Sequence, residues 1–422
     1  MDSTSPELTV PPRSGTLPGW KLFLAVMGPG LVVMLADTDV GSIITAAQSG
    51  VQWGYRLLLL QLLLVPVLFV VQELTVRLGI FTGQGHGELI RKSFGTGWAW
   101  LSVSGLGVAT LGALVTEFSG VAAVGELFGV PRVLSLGLTV AVLLAIVLTG
   151  SYRRVERVAI GLGLFEFAFF FVAWRAHPQG AAIAAGMMHM PLGDRAYLYL
   201  VAANIGAVIM PWMIFYQQSA VADKKLQPHH YKHARWDTAI GSLITQAVMA
   251  AILVAAAATI GRWHGSATLD SIGDITKMLV PFLGADVGRV VFSLGTIGAA
   301  LVAAIVASLA SAWGFGEVTG YRHSLEHRPL DAPWFYGIYS LAVIGGAVVV
   351  DLAPNLVELN IGVEVMNALM LPLVLGFLVA LAFRALPPEH RLRGLYAWVV
   401  VGLALITAGL GVYGGITGAH FF

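Results

Sequence analysis

Long apolar runs recur along this chain from one end to the other with no polar domain between them; Leu31 to Ala36, Leu57 to Val71, Val140 to Leu148 and Leu341 to Val350 are parts of them. A bilayer-crossing helix needs about 20 mainly apolar residues. A lipid-embedded backbone can satisfy its own polar groups only as helices or as a closed barrel. The barrel signature, segments of about ten alternating residues, is absent, so the runs predict an all-α membrane protein. Composition agrees: 57% of the 422 residues are apolar and 11% charged, against roughly a quarter charged in soluble domains. Many of the 50 glycines fall inside the apolar runs, where small residues let helices approach closely. With no cysteine, disulfides and thiolate metal sites are excluded. A net charge of +1 gives no basis for a nucleic-acid partner; the lipid bilayer is the expected surrounding.

Eleven spanning segments are predicted: 21–49, 54–78, 98–127, 133–148, 155–174, 196–221, 238–260, 287–317, 334–350, 356–382 and 394–417. Residues 1–20 are polar and proline-rich, lack the apolar run of a signal peptide, and are expected to be a disordered cytoplasmic lead-in. With the N-terminus inside, 17 of the 24 Lys and Arg residues fall in inner loops and seven in outer ones. Basic residues concentrate on the cytoplasmic side. The expected orientation is therefore N-terminus in and C-terminus out.

Segments one and six are unlike plain spans. The first carries Gly28-Pro29-Gly30 and then, at mid-depth, Asp37-Thr38-Asp39-Val40-Gly41-Ser42; the sixth carries Asn204, Gly206 and Met210-Pro211, followed by Gln217. Proline removes a helix donor, and lipid cannot satisfy the backbone groups a break exposes, so such breaks persist where they line a cavity. Four segments separate the two, so each would open a five-helix repeat, residues 21–178 and 194–382, with the second inverted and 393–417 as an eleventh helix. Discontinuous helices at matching positions in two halves point to a midplane ion site.

A charge at the bilayer centre costs at least about 2.5–3.5 kcal/mol, so the buried acids identify the site. Asp39 is expected to be the direct ligand, with Asp37 as a vestibule group. On an intact helix the two would point about 200° apart, so both could serve one ion only if the backbone unwinds. Opposite them the sequence places Met210 and the carbonyls around Ala207, with Asn204 and Gln217 as further amide oxygens and Glu364 with Asn367 on one face of segment ten. Glu117, deep in segment three, is a candidate for a gate or water-filled path; Glu73 and Glu317 are expected at the membrane interface. A carboxylate and amide inventory suits a hard, partly hydrated dication such as Mg²⁺, whereas a thioether favours softer ions. His229, His230 and His233 read as a solvated loop.

The chain resembles the natural-resistance-associated macrophage protein metal transporters, and in particular their bacterial magnesium-transporting relatives. The resemblance is carried by Gly28-Pro29-Gly30, Asp39-Val40-Gly41-Ser42, Gln48-Ser49-Gly50, Arg77-Leu78-Gly79, Thr82-Gly83, Ala207 to Pro211 and Met370-Leu371-Pro372. It implies a leucine-transporter-type 5+5 inverted repeat, a bacterial inner-membrane location, and an ion bound by Asp39, Ser42, Ala207, Met210 and Glu364. The family's manganese and iron transporters have Asp-Pro-Gly-Asn in the first break and Met-Pro-His in the sixth helix. Here Val40 replaces the proline, Ser42 the asparagine and Trp212 the histidine, while the run Trp212 to Gln218 is similar to the magnesium subgroup. The expectation drawn is import of Mg²⁺, with Mn²⁺ possible, without obligatory proton coupling. Its rivals are a proton-coupled Mn²⁺/Fe²⁺ transporter, a sodium-coupled carrier of an organic solute, and a non-transporting scaffold or receptor.

Overall fold

A computed structural model describes residues 29–149, 157–158, 161, 164–260, 269, 271–278, 284–324 and 327–419. The expected lead-in lies outside the described residues, as do residues 21–28 of segment one, Gly28 among them, and residues 155–156, 159–160 and 162–163 of segment five. The described chain forms fifteen α-helices: α1 (Pro29–Asp37), α2 (Val40–Trp53), α3 (Leu58–Thr82), α4 (His86–Phe94), α5 (Thr96–Leu127), α6 (Arg132–Val147), α7 (Ala168–Arg175), α8 (Gly180–Met187), α9 (Arg195–Val208), α10 (Pro211–Asp223), α11 (Tyr231–Ala258), α12 (Ala285–Thr319), α13 (Pro333–Leu352), α14 (Leu356–Arg384) and α15 (Gly394–Gly418).

Among the described residues eight helices are long and apolar enough to cross a membrane, α9 and α10 counting together as one. The first predicted span, described in pieces of 9 and 14 residues, is not among these eight. The fourth, α6, is 16 residues long. Local chemistry sets the ends. The Asp194 carboxylate accepts the N–H groups of Ala196 and Tyr197 at the start of α9, and Asn355 does the same for Val357 and Glu358 of α14, satisfying amides that a first turn leaves open. Gly83 and Gly320, at φ of +65° and +83°, end α3 and α12 in the left-handed conformation that glycine adopts without steric cost.

Two expected boundaries shift. The seventh span starts at Tyr231, not Thr238, because the polar turn through Asp237 is already helical. The second starts at Leu58, after Gly54. The broken helices lie at the centre: α1 packs on α11, α12 and α10, α2 on α11, and α9 on α14 and α15, while α12 crosses α5. Nearly all of the α9–α10 window is buried inside the protein, whereas α15 lies at the periphery, with Leu395, Trp398 and Leu405 turned outward.

Candidate functional site

Both breaks fall where the sequence places them. The first separates α1 from α2 at Thr38 and Asp39. Asp39 adopts extended backbone (φ −73°, ψ 175°), and its Oδ1 accepts the Ser42 N–H at 2.7 Å. Aspartate serves here as an N-cap, and its charge sits at the positive end of the α2 dipole. The second break separates α9 from α10 at Ile209 and Met210, with Met210 extended (φ −95°, ψ 141°) and Pro211 opening α10, a position where its missing N–H costs nothing. One hydrogen bond joins the breaks: the Ser42 hydroxyl donates to the Ala207 carbonyl at 3.0 Å. Asp37, Thr38, Asp39, Ser42, Ala207, Met210, Trp212, Glu117, Asn204, Gln217, Glu364 and Asn367 are each no more than 1% exposed, so these residues are shielded from solvent.

Two further helices bring carboxyl groups to the first break. From α5, Glu117 Oε2 accepts the Val40 N–H at 3.3 Å, and Thr116 donates to its other oxygen at 3.1 Å. Sequence reasoning gave Glu117 a gate or path role; the structure sets it directly against the break. From α14, Glu364 packs on Gly41, where a Cβ would stand 2.1 Å from Glu364 Oε1. Asn367 Nδ2 donates to Glu364 Oε2 at 3.1 Å. Gly206 allows the matching approach of α9, since a Cβ there would fall 1.8 Å from the Glu364 carbonyl oxygen.

Three buried oxygens in this region, Asp39 Oδ2, Glu364 Oε1 and Asn367 Oδ1, receive no hydrogen bond from the protein. Buried acceptors are costly without a partner, and a cation or a proton is what such a set accepts. Among the described residues no three histidine, aspartate or glutamate side chains form a ready-made metal cage. An ion held here would add carbonyl oxygens, the thioether or water to one or two carboxylates.

Several expected participants are engaged elsewhere. Gln217 accepts from Thr75 at 2.8 Å and donates to Thr238 at 3.1 Å, so its amide ties α10 to α3 and α11. Asn204 accepts from Gln61 at 2.6 Å and donates to Ser49 at 2.8 Å and to the Leu200 carbonyl. Neither amide oxygen is offered to an ion. Glu73 and Glu317 are buried within the protein. Glu73 takes hydrogen bonds from Arg77, Tyr231 and Tyr396, and Glu317 takes them from Ser219 and the Gly87 amide. Beside Glu317, His86 is buried at the start of α4, where Nδ1 meets Gln218 Oε1 at 2.9 Å and desolvation lowers its pKa to about 4.

Residues 30–417 match the family described as natural resistance-associated macrophage protein-like. A divalent metal cation transporter MntH from Yersinia pestis is 32% identical over 298 residues, covering 69% of this chain and 72% of that protein. The manganese transporter of Eremococcus coleocola superposes with a TM-score of 0.76 at 19% identity, over 95% of this chain and 87% of its own. A Na⁺-coupled sialic acid symporter shares the fold more distantly, with a TM-score of 0.58 at 14% identity over 97% and 90%. These likenesses place the architecture in the leucine-transporter-type class. The chain, an all-α protein built of membrane-spanning helices, belongs to the natural resistance-associated macrophage protein-like family.

Proposed function

We propose that this protein is a secondary transporter that imports divalent metal cations across a bacterial plasma membrane, with Mn²⁺ preferred to Mg²⁺ and metal entry linked to protons. The observation that carries the reading is the junction of the two breaks. Asp39 lies on one side and Met210 on the other, with the Ser42 to Ala207 hydrogen bond between them. A thioether at the break disfavours Mg²⁺, which takes oxygen ligands and gives up water reluctantly, and is tolerated by softer first-row ions. The relatives, a manganese transporter and a divalent metal cation transporter, favour the same preference over the Mg²⁺ expected from the sequence.

The proton link rests on the carboxyl groups at the first break. Glu117 accepts the amide of Val40, next to Asp39, and two carboxyl groups this near each other without a cation between them are expected to carry a proton; a dication arriving at Asp39 supplies the positive charge in its place, and the proton leaves. Asp39 would bind the ion, Met210 and the Ala207 carbonyl would complete its shell, and Ser42 would exchange its bond to Ala207 for the ion. Glu117 would carry the proton. The membrane potential adds about 2.3 kcal/mol per charge per 100 mV.

A second reading, Mg²⁺ import without protons, draws on Glu364. Its unsatisfied Oε1 beside Gly41 adds a second hard carboxylate, and Trp212 stands where the family's manganese and iron transporters have histidine. Purified protein in liposomes loaded with metal-sensitive and pH-sensitive dyes separates the two. Mn²⁺ entry with lumenal acidification is expected, abolished in Asp39→Ala and uncoupled from protons in Glu117→Gln, with Met210→Ala narrowing the gap between Mn²⁺ and Mg²⁺. Mg²⁺ entry without acidification, indifferent to Met210→Ala, would instead establish the second reading.

A further inference from the structure

Away from the breaks, a cavity of about 460 Å³ opens where α3 passes into α4 and where α14 turns toward α15. Its volume is in the range of small-ligand pockets, roughly 300–1,000 Å³. Three cations line it, Lys92 from α4 and Arg384 and Arg391 from the end of α14 and the turn beyond, and no carboxylate does. The arginines are held in place without being neutralised. Arg391 donates to the Leu386 carbonyl at 2.8 Å and to the Arg384 carbonyl at 3.3 Å, and the Arg384 guanidinium lies 5.4 Å from the centre of the Phe94 ring. Of the nearby acids, Glu88 accepts from Gln84 at 2.7 Å, and Glu389 is exposed in the same turn.

Basic residues in a last helical turn ordinarily offset the helix dipole, and Lys92 and Arg384 both occupy such turns. Each helix end supplies only about half a negative charge, which leaves a net positive wall. The surroundings indicate what covers it. Trp98 and Trp398, 54% and 77% exposed, begin the neighbouring spans α5 and α15, and tryptophan favours the headgroup level of a bilayer. Phe383 and Leu395 are also exposed beside the turn. By the distribution of Lys and Arg this is the cytoplasmic end, where the leaflet is anionic and basic pockets between spanning helices bind lipid headgroups.

We propose that this cavity binds the phosphate of an anionic phospholipid from the cytoplasmic leaflet, with Lys92 and Arg384 contacting the phosphate and the acyl chains running along the exposed apolar flank of Phe383 and α15. The lipid would clamp the α3–α4 junction to the end of α14, the helix that carries Glu364. The test measures thermal unfolding and native mass spectra of the full chain in detergent with added phosphatidylglycerol, phosphatidylcholine or inorganic phosphate. Phosphatidylglycerol is expected to stay bound and raise the melting temperature, while phosphatidylcholine and inorganic phosphate do neither. In Lys92→Gln/Arg384→Gln, phosphatidylglycerol binding should weaken roughly tenfold or more, whereas the charge-preserving Lys92→Arg/Arg384→Lys keeps it. Equal stabilisation by inorganic phosphate would make this a soluble-anion pocket and overturn the lipid assignment. Unchanged phosphatidylglycerol binding in the glutamine pair, or loss in both pairs alike, would overturn the role of the two cations.

Discussion

At Gly206 the centre of the molecule depends on a missing methyl group. A Cβ there would meet the backbone of α14, 1.8 Å from the Glu364 carbonyl and 2.8 Å from the Ala368 nitrogen, and backbone cannot rotate away. Gly206→Ala should therefore cost about 1–3 kcal/mol or more, as overpacking does, and should lower the melting temperature in detergent. Gly376, in α14 with nothing within 4 Å of its would-be Cβ, is the control; Gly376→Ala should be neutral or stabilising by up to about 1 kcal/mol. His86 gives a residue-level pH prediction. Its folded pKa, about 4, lies below the ordinary histidine value of 6.5 because burial disfavours the charged ring. The unfolded chain then binds a proton that the folded one does not between those values. Stability from this site is complete above pH 6.5 and falls as pH drops toward 4, by at most about 1.4 kcal/mol per unit. Unfolding followed from pH 7 to 4.5 should show that loss, and His86→Gln should remove its share of it.

Among the elements, α1 is the piece with least of its own to hold it: nine residues, too short to be stable alone. Its anchorage comes from α11. Asp237 Oδ2 accepts the Gly30 N–H at 3.0 Å, and Thr245 donates to the Met34 carbonyl. Gly241 lets Met34 pack close, since a Cβ there would stand 2.5 Å from Met34 Cγ. Asp237→Ala should remove a cap worth about 0.5–2 kcal/mol and loosen α1 at its first turn. Because the chain has no cysteine, Met34→Cys reports this cleanly, and its maleimide labelling should rise several-fold in the Asp237→Ala background; an unchanged rate would mean that α1 is held by packing alone. The sequence made both breaks legible because Asp37, Asp39 and Gly41 in one segment and Pro211 in the middle of another are at odds with an unbroken apolar helix. It did not show that Gln217 and Asn204 turn away from the breaks, because their partners Thr75, Thr238, Gln61 and Ser49 come from other helices. The burial of Glu73 was hidden for the same reason, since Tyr231 and Tyr396 are far away in the chain. Helix α4, His86–Phe94, went unseen because it is short and polar between two spans.

Over the whole molecule, one end is fastened by charged groups and carries most of the loop cations. There Glu73 on α3 gathers Arg77, Tyr231 of α11 and Tyr396 of α15, and Arg77 also donates to the His390 carbonyl at 3.4 Å, while the ring of Phe81 stacks on that of His390 at 3.7 Å. Loops at this end include Lys224, Lys225, Arg322, Arg328, Arg391 and Arg393, and Lys232 lies in the first turn of α11. The opposite end holds few basic residues, among them Arg132, which is spent on Glu126 and on the Val350 and Ala353 carbonyls. Basic residues stay in the cytoplasm, so the Glu73 end should face inward and the loop around Gly193 outward. Single cysteines test this without background labelling. Gly193→Cys, exposed with no atom near its would-be Cβ, should react with an impermeant maleimide on intact cells. Lys232→Cys, exposed on α11, should react only after permeabilisation. The reverse pattern would invert the molecule and place the cavity on the outer leaflet, removing the anionic-leaflet argument for its lipid, while the direction of metal flow, set by the ion gradients and the membrane potential, would stay inward.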